Sequence, residues 1–262
     1  MLLITGGTSF NASKFLEDSN FDFLVPLNIS KPKIPKKNIN YFEDLESLFD
    51  NENFKNVEYI INFASSYNFD RSYRKLAQSS IFYALRILLK VNKKNLKLFI
   101  NIGTYSQDAK KLNKSKTKYV KVKNFSDFLF TLFVSKRKYL NLKLGDTYGI
   151  NDPRNKLNSI LNKQVDNKNL EVYGSKDNLL YPVSIQEIKS CLSYVIDNSE
   201  LFDNTYISNI AVYGKQITLG EYIDQYKNKK NLNFEVTFKD LDIHIEELNS
   251  VKTDYYFLIE NY

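Results

Sequence analysis

A tyrosine four residues before a lysine can do proton chemistry when both lie on one helix. Positions i and i+4 share a face there, and an ammonium beside a phenol lowers its pKa. The chain holds three such pairs, Tyr119/Lys123, Tyr139/Lys143 and Tyr226/Lys230. With 19 tyrosines and a lysine-heavy composition, chance alone produces about as many, so position has to choose among them. Tyr139/Lys143 falls in an apolar run that reads as a strand, where four residues span ~13 Å and the side chains cannot meet. Tyr226/Lys230 ends a late helix. Only Tyr119/Lys123 opens a helix after an apolar strand that finishes on a hydroxyl, Phe99-Ile100-Asn101-Ile102-Gly103-Thr104.

A second candidate lies at the chain start. Leu2–Ile4 is a short apolar run closed by Thr5-Gly6-Gly7-Thr8-Ser9-Phe10-Asn11-Ala12, where a dinucleotide phosphate loop belongs. That chemistry needs a tight turn without an obstructing Cβ, then amides at a helix N-terminus facing a diphosphate. Gly6 supplies the turn, while Ser9 and Ala12 take the later glycine places of a Gly-x-x-Gly-x-x-Gly spacing. Gly6, Thr8, Ser9, Phe10 and Asn11 are therefore the candidate phosphate-loop residues. A carboxylate ending the second strand would accept bonds from a ribose 2′-hydroxyl. Here Phe23–Leu27 runs into Asn28-Ile29-Ser30-Lys31, with no acid and a basic loop following. Asn28 and Lys31 suit a 2′-phosphate, which favours NADP(H) over NAD(H).

Elements of defined order must position these groups. The pattern reads strand, turn, helix, repeated: a helix from Phe10, a strand at Phe21–Leu27, a third strand at Tyr59–Phe63 and a helix over Tyr73–Val91. Leu96–Ile102 and Tyr139–Leu144 are further strands, separated by a helix over Tyr119–Ser135. Such alternation predicts a Rossmann-type doubly wound parallel α/β sheet, with ligands at the carboxyl ends of its strands. Past residue 150 the rhythm shortens. Helices fall near Lys156–Gln164, Ile185–Ile196 and Leu219–Tyr226, and strands at Glu171–Tyr173 and Thr205–Ile207. The domain reading is a dinucleotide-binding unit over residues 1–150 and a smaller mixed substrate lobe over 151–262, interleaved with the first.

Composition excludes other classes. The 262 residues are 43% hydrophobic and 26% charged, which is globular. No apolar run approaches the ~20 residues of a membrane span, and Met1–Thr5 reads as a strand rather than a signal peptide. The net charge of +7 comes almost wholly from lysine, with five arginines scattered along the chain, so no nucleic-acid partner is expected. Cys191 is the only cysteine, which fits a reducing cytoplasm and a small buried role. His244, the only histidine, reads as a surface residue of a polar helix, and no metal site is expected.

Taken together, Thr5–Ser13, Ile60–Ser66, Phe99–Thr104, Tyr119–Lys123 and Leu142–Gly149, continuing through Asn151-Asp152-Pro153-Arg154-Asn155-Lys156-Leu157, resemble the extended short-chain dehydrogenase/reductase family. The chain is most similar there to the CDP-paratose and CDP-abequose synthases, NADPH-dependent reductases of CDP-linked 4-keto-3,6-dideoxyhexoses used in surface-polysaccharide (O-antigen-like) synthesis. The resemblance implies that Thr104 bonds the substrate carbonyl oxygen, Tyr119 protonates it, and Lys123 holds the nicotinamide ribose and lowers the Tyr119 pKa. It implies that Phe63, Ala64 and Ser65 follow the cofactor. Ser65, Tyr67, Asp146, Asn155 and Lys156 would face a nucleotide-sugar substrate. It also implies a homodimer through the helices over Tyr73–Val91 and Tyr119–Ser135, where Phe125, Phe128, Leu129, Leu132 and Phe133 exceed one face.

Dehydratases of the family carry Asp-Glu after the threonine. Here Tyr105-Ser106 stand there, against elimination chemistry. The family's arginine of the C-terminal lobe is replaced in Leu180-Tyr181-Pro182, which leaves diphosphate binding to Arg154, Lys156 or another base, or implies a different substrate. The alternatives to a reductase are an NAD(P)-dependent epimerase of the same fold and a non-catalytic dinucleotide-binding protein.

Overall fold

Short apolar runs become strands and the segments between them become helices, as a parallel sheet requires. The computed structural model describes residues 1–27, 36–65, 72–109, 114–149, 152–154, 157–163, 169–205, 208–239 and 255–256. The first half runs β1 (Leu2–Thr5), α1 (Phe10–Asp18), β2 (Phe23–Pro26), β3 (Ile39–Phe42), α2 (Leu45–Phe49), β4 (Tyr59–Asn62), α3 (Tyr73–Ala77), α4 (Tyr83–Lys90), β5 (Leu98–Thr104) and α5 (Lys114–Phe133). A π-helical turn at Gln78–Phe82 joins α3 to α4. The second half runs β6 (Tyr139–Leu144), β7 (Asp146–Tyr148), α6 (Leu157–Lys163), β8 (Asn169–Tyr173), β9 (Leu179–Leu180), β10 (Pro182–Ser184), α7 (Ile185–Asp197), α8 (Ser199–Thr205), β11 (Asn209–Val212), β12 (Ile217–Thr218), α9 (Leu219–Lys230), β13 (Glu235–Lys239) and β14 (Tyr255–Tyr256).

Eight strands form one parallel sheet in the order β14-β11-β6-β5-β4-β1-β2-β3. The order reverses beside β1, so the crevice lies above the carboxyl ends of β1, β4 and β5. Strand residues alternate between two cores. Leu2, Ile4, Phe23, Val25, Ile61 and Ile100 pack with α1 and α7. Leu3, Leu24, Ile60 and Phe99 pack on the other face with α2, α4 and α5. This is the expected doubly wound α/β fold. A third cluster built by α6, β8 and α9 makes a separate small core in the C-terminal region. Its short strand pairs are β7/β10, β9/β12 and β8/β13. The same region lends β11 and β14 to the main sheet. Among the described residues no helix is long and apolar enough to cross a membrane.

Several elements differ from the sequence reading. β3 and α2 were not expected, so the strand at Tyr59 is the fourth. β3 is only partly buried, and α2 is one turn and a half held by a capping box between Asp44 and Ser47. The helix expected from Tyr119 begins at Lys114. The strand expected at Thr205–Ile207 lies at Asn209–Val212, where Ile210, Ala211 and Val212 carry the burial; Thr205 closes a helix, and 206 and 207 lie outside the described residues. His244 also lies outside them.

Candidate active site

The turn after β1 owes its shape to two glycines with different obligations. Gly6 has φ +67°, and a Cβ there would stand 2.6 Å from the Ala64 backbone nitrogen. A side chain is excluded both by conformation and by backbone that cannot withdraw. Gly7 has ordinary φ, but a Cβ would meet Val25 Cγ1 at 2.4 Å, so it lets the turn press against β2. The Ser9 amide donates to the Gly6 carbonyl at 2.9 Å, and the Ser9 hydroxyl caps α1 by accepting from the Ala12 amide at 3.4 Å. Ser9 thus works as a helix cap, a role serine suits better than the expected glycine.

Above this turn lies a groove of about 300 Å³. Six of the candidate cofactor residues line it: Gly6, Thr8, Ser9, Phe63, Ala64 and Ser65. Phe10 and Asn11 do not. Phe10 is buried beneath the Arg154 guanidinium, 4.8 Å from its ring, and Asn11 is buried in the first turn of α1. The wall also contains Gly7, Pro26, Leu27, Ser79 and Tyr83, none of them anticipated. Pro26 and Leu27 could have been found, since Pro26 ends β2, Leu27 follows it, and the strand-end rule points there. Ser79 and Tyr83 sit on and just after the π turn, which shifts the helix face by an amount no simple period reveals. Burial pushes the Tyr83 phenol up to about 12.

Ser65, on the groove wall, links it to Tyr119, and Lys123 lies behind the Tyr119 ring. The Ser65 hydroxyl donates to the Tyr119 hydroxyl at 3.4 Å, joining α5 to the end of β4. Lys123 Nζ stands 5.8 Å from the Tyr119 ring centre and donates to the Ile102 carbonyl at 2.7 Å. Lys123 is 1% exposed, and burial pulls its pKa down to about 8, opposed by the charge of Asp127. Thr104 ends β5. Its hydroxyl accepts from the Ser106 amide at 3.4 Å and its amide donates to Gln107 Oε1 at 2.9 Å, fixing the turn Tyr105–Asp108. The competing pairs behave as their elements dictate: Tyr139 and Lys143 both lie on β6, and Tyr226 and Lys230 on α9.

Behind the site runs a row of buried polar side chains. Thr5, Asn62, Asn101 and Asn141 are aligned on β1, β4, β5 and β6, each with zero exposure. Thr5 Oγ1 donates to Asn62 Oδ1 (2.6 Å), Asn62 Nδ2 to Asn101 Oδ1 (3.0 Å), and Asn101 Nδ2 to Asp127 Oδ1 (2.8 Å). Asp127 also accepts from Tyr139 Oη (2.5 Å), Gln107 Nε2 (2.6 Å) and Asn141 Nδ2 (2.7 Å). Burial raises the Asp127 carboxyl above its ordinary range, against the pull of these donors.

The lobe meets the site through Asp146. Its carboxylate accepts from Tyr105 Oη at 3.4 Å and from the Tyr181 amide at 2.9 Å, so it ties the turn after Thr104 to the lobe. Asp146 also lines a second cavity of about 210 Å³, with Thr147, Tyr148, Leu157, Leu180 and Tyr222. Arg154 is held by Asp152 through Nε and Nη2, at 2.7 and 2.6 Å. Asn28, Lys31, Tyr67, Asn155 and Lys156 lie outside the described residues. Cys191 is buried on α7, where burial pushes its thiol up to about 12.

This doubly wound sheet, with its groove above β1 and β4 and its appended lobe, is the fold of known nucleotide-sugar epimerases and dehydratases. UDP-glucose 4-epimerase from Thermotoga maritima, solved with UDP-glucose, superposes with a TM-score of 0.71 at 17% identity, over 91% of this chain and 85% of that one. UDP-glucuronic acid 4-epimerase from Bacillus cereus, solved with UDP-glucuronic acid and NAD, gives 0.70 at 15% identity, over 90% and 85%. A dTDP-glucose 4,6-dehydratase from Streptomyces venezuelae, solved with NAD bound, gives 0.70 at 14% identity, over 95% and 88%. No family model matches the chain, and no curated protein matches it by sequence.

Proposed function

We propose that the protein is a nicotinamide-dinucleotide-dependent oxidoreductase of nucleotide sugars, and specifically a reductase of a CDP-linked 4-keto deoxysugar. The observation that carries this reading is the hydrogen bond from Ser65, which lines the glycine-turn groove, to Tyr119, with the Lys123 ammonium 5.8 Å from the Tyr119 ring centre. The groove suits a dinucleotide: Gly6, Thr8 and Ser9 line it beside the N-terminus of α1, and a helix N-terminus favours a diphosphate. Gly6, Thr8 and Ser9 would hold that diphosphate, and Phe63, Ala64 and Ser65 would follow the cofactor along the end of β4. The absence of an acid after β2 and the presence of Lys31 favour the 2′-phosphorylated form, although two of the three solved structures named above carry NAD.

When bound, the reduced nicotinamide supplies a hydride. The chain supplies the proton and its control. Tyr119 gives its phenolic proton to the sugar carbonyl oxygen, and the Lys123 ammonium stabilises the phenolate left behind. Thr104, whose hydroxyl oxygen already accepts from the Ser106 amide, keeps its own proton to donate to the same oxygen. Asp146 holds the turn after Thr104 and would border the sugar with Ser65, Tyr67, Asn155 and Lys156. Residues 1–150 act as the cofactor unit and 151–262 as the substrate lobe. The protein works as a homodimer. Phe82, Phe125, Phe128 and Leu132 are each half or more exposed on the α3–α5 side, an apolar face a second copy would cover.

The test is calorimetric titration of NADPH and NADH into wild type and Tyr119→Phe. Absorbance of the reduced cofactor is then followed after adding a CDP-4-keto-dideoxyhexose. Both proteins should bind NADPH, and only wild type should oxidise it. The fold shared with 4-epimerases favours one second reading, epimerisation, which would return the cofactor each turn and show no net consumption. If neither cofactor binds, the enzyme reading fails.

A further inference from the structure

We propose that Asp127 is a positioning residue for the Tyr119–Lys123 pair: a carboxylate fixed by donors from β5, β6 and the turn after Thr104, whose negative charge keeps the buried Lys123 ammonium protonated. The proposal rests on the reading of Lys123 as part of the working site.

Lys123 and Asp127 are four residues apart on α5 and so share a face. Lys123 is almost wholly buried, and its hydrogen bond runs to a neutral carbonyl, that of Ile102. Among the described residues no carboxylate stands within ion-pair distance of its nitrogen. A buried ammonium in that position loses its proton unless a charge offsets the lost solvation. The other ionisable groups of the neighbouring elements do not serve, and Tyr119 presents only its ring, centred 5.8 Å away. Lys143 and Asp108 pair with each other at 2.8 Å, Tyr139 donates to Asp127, and Tyr105 donates to Asp146. Asp127 is the anion that remains.

The hydrogen bonds show which form of Asp127 the fold is built for. Thr5 donates to Asn62, Asn62 to Asn101 and Asn101 to Asp127, so every amide in the row is turned the same way. Three further donors, from Gln107, Tyr139 and Asn141, converge on the same carboxyl. Four groups directed at one carboxyl suit its ionised form, since a protonated one would need an acceptor for its own hydrogen. Gln107 also accepts from the Thr104 amide, so one side chain links the carboxylate to the strand end that carries the candidate substrate hydroxyl.

The experiment follows the lysine ε-carbon resonances of the full chain by NMR across pH, with Lys123 identified by its loss in Lys123→Met. In Asp127→Asn the Lys123 midpoint should fall by about one pH unit or more, and Asp127→Glu should restore it. An unchanged midpoint in a folded Asp127→Asn protein overturns the proposal. If that variant does not fold, the same coupling is read in reverse from the Asp127 carboxyl carbon. Its midpoint should rise when Lys123 becomes Met, and no rise overturns the proposal. Neither reading depends on turnover, so calorimetry with NADPH and NADH tests the enzyme reading separately.

Discussion

Gly7 offers a stringent test of how the groove is built. A methyl group added there meets one atom at close range, Val25 Cγ1 at 2.4 Å, while the next neighbours stand 3.7 and 3.8 Å away. Its φ is not in the left-handed region, so backbone strain is not added. Gly7→Ala should therefore destabilise by overpacking alone, about 2 kcal/mol. Val25 has zero exposure on β2, and Val25→Ala removes two buried methyls, for about 2 kcal/mol as well. In the double variant the methyl added by Gly7→Ala enters space that Val25 vacated. The pair should then cost about 2 kcal/mol rather than about 4, a coupling of about 2 kcal/mol. Gly6→Ala is the control: its contacts are the Ala64 nitrogen and Cα and the Phe63 carbonyl carbon, all backbone, so no partner substitution should rescue it. Urea denaturation of the four Gly7/Val25 combinations supplies the cycle. Additive losses, or a Gly7→Ala variant as stable as wild type, would refute the packing argument.

Three other outcomes follow. Unfolded lysine titrates near ~10.4 and Lys123 near 8, so between those values the unfolded chain binds the extra proton and stability rises with pH. Compared with Lys123→Met, wild type should gain urea resistance from pH 8 to pH 10, before the buried tyrosines, raised above their ordinary range, reverse the trend. Over the same range cofactor-dependent turnover should fall as the ammonium is lost, measured as a pH–rate profile. Phe128→Glu with Leu132→Glu should turn the proposed homodimer into monomer by light scattering. Each buried side chain is worth about 1.5–3 kcal/mol and acts on both copies, so the dimer should weaken at least about 100-fold; an unchanged mass would remove this face from the interface.

The central strands were legible because they are buried on both faces, which writes them as unbroken apolar runs such as Tyr59–Ile61 and Phe99–Ile100. β3 was not, because an edge strand with Asn40 exposed carries neither an apolar run nor a full alternation. The first turns of α5 were hidden by Lys114-Ser115-Lys116-Thr117-Lys118, a run with no apolar residue to mark a helix face. In the site, Gly6 and the Tyr119/Lys123 pair were readable from spacing and place. Gly7 was not: its need comes from Val25, eighteen residues away in sequence and on another strand. The same holds for Asp127, whose partners Asn101, Gln107, Tyr139 and Asn141 gather only through the sheet order.

The row from Thr5 to Asn141 also bears on how this sheet finds its alignment during folding. Parallel strands that are apolar on both faces carry little information about register, since one Ile or Val replaces another. Here a slip of one residue by β4, β5 or β6 would turn an asparagine into the α1–α7 core. A slip of two would set it against Ile60 or Phe99. Either error strands a buried amide at about 1–3 kcal/mol apiece. The polar row therefore acts as an index mark across the interior of the sheet, and each misaligned pairing lies above the native one by the cost of its stranded amides.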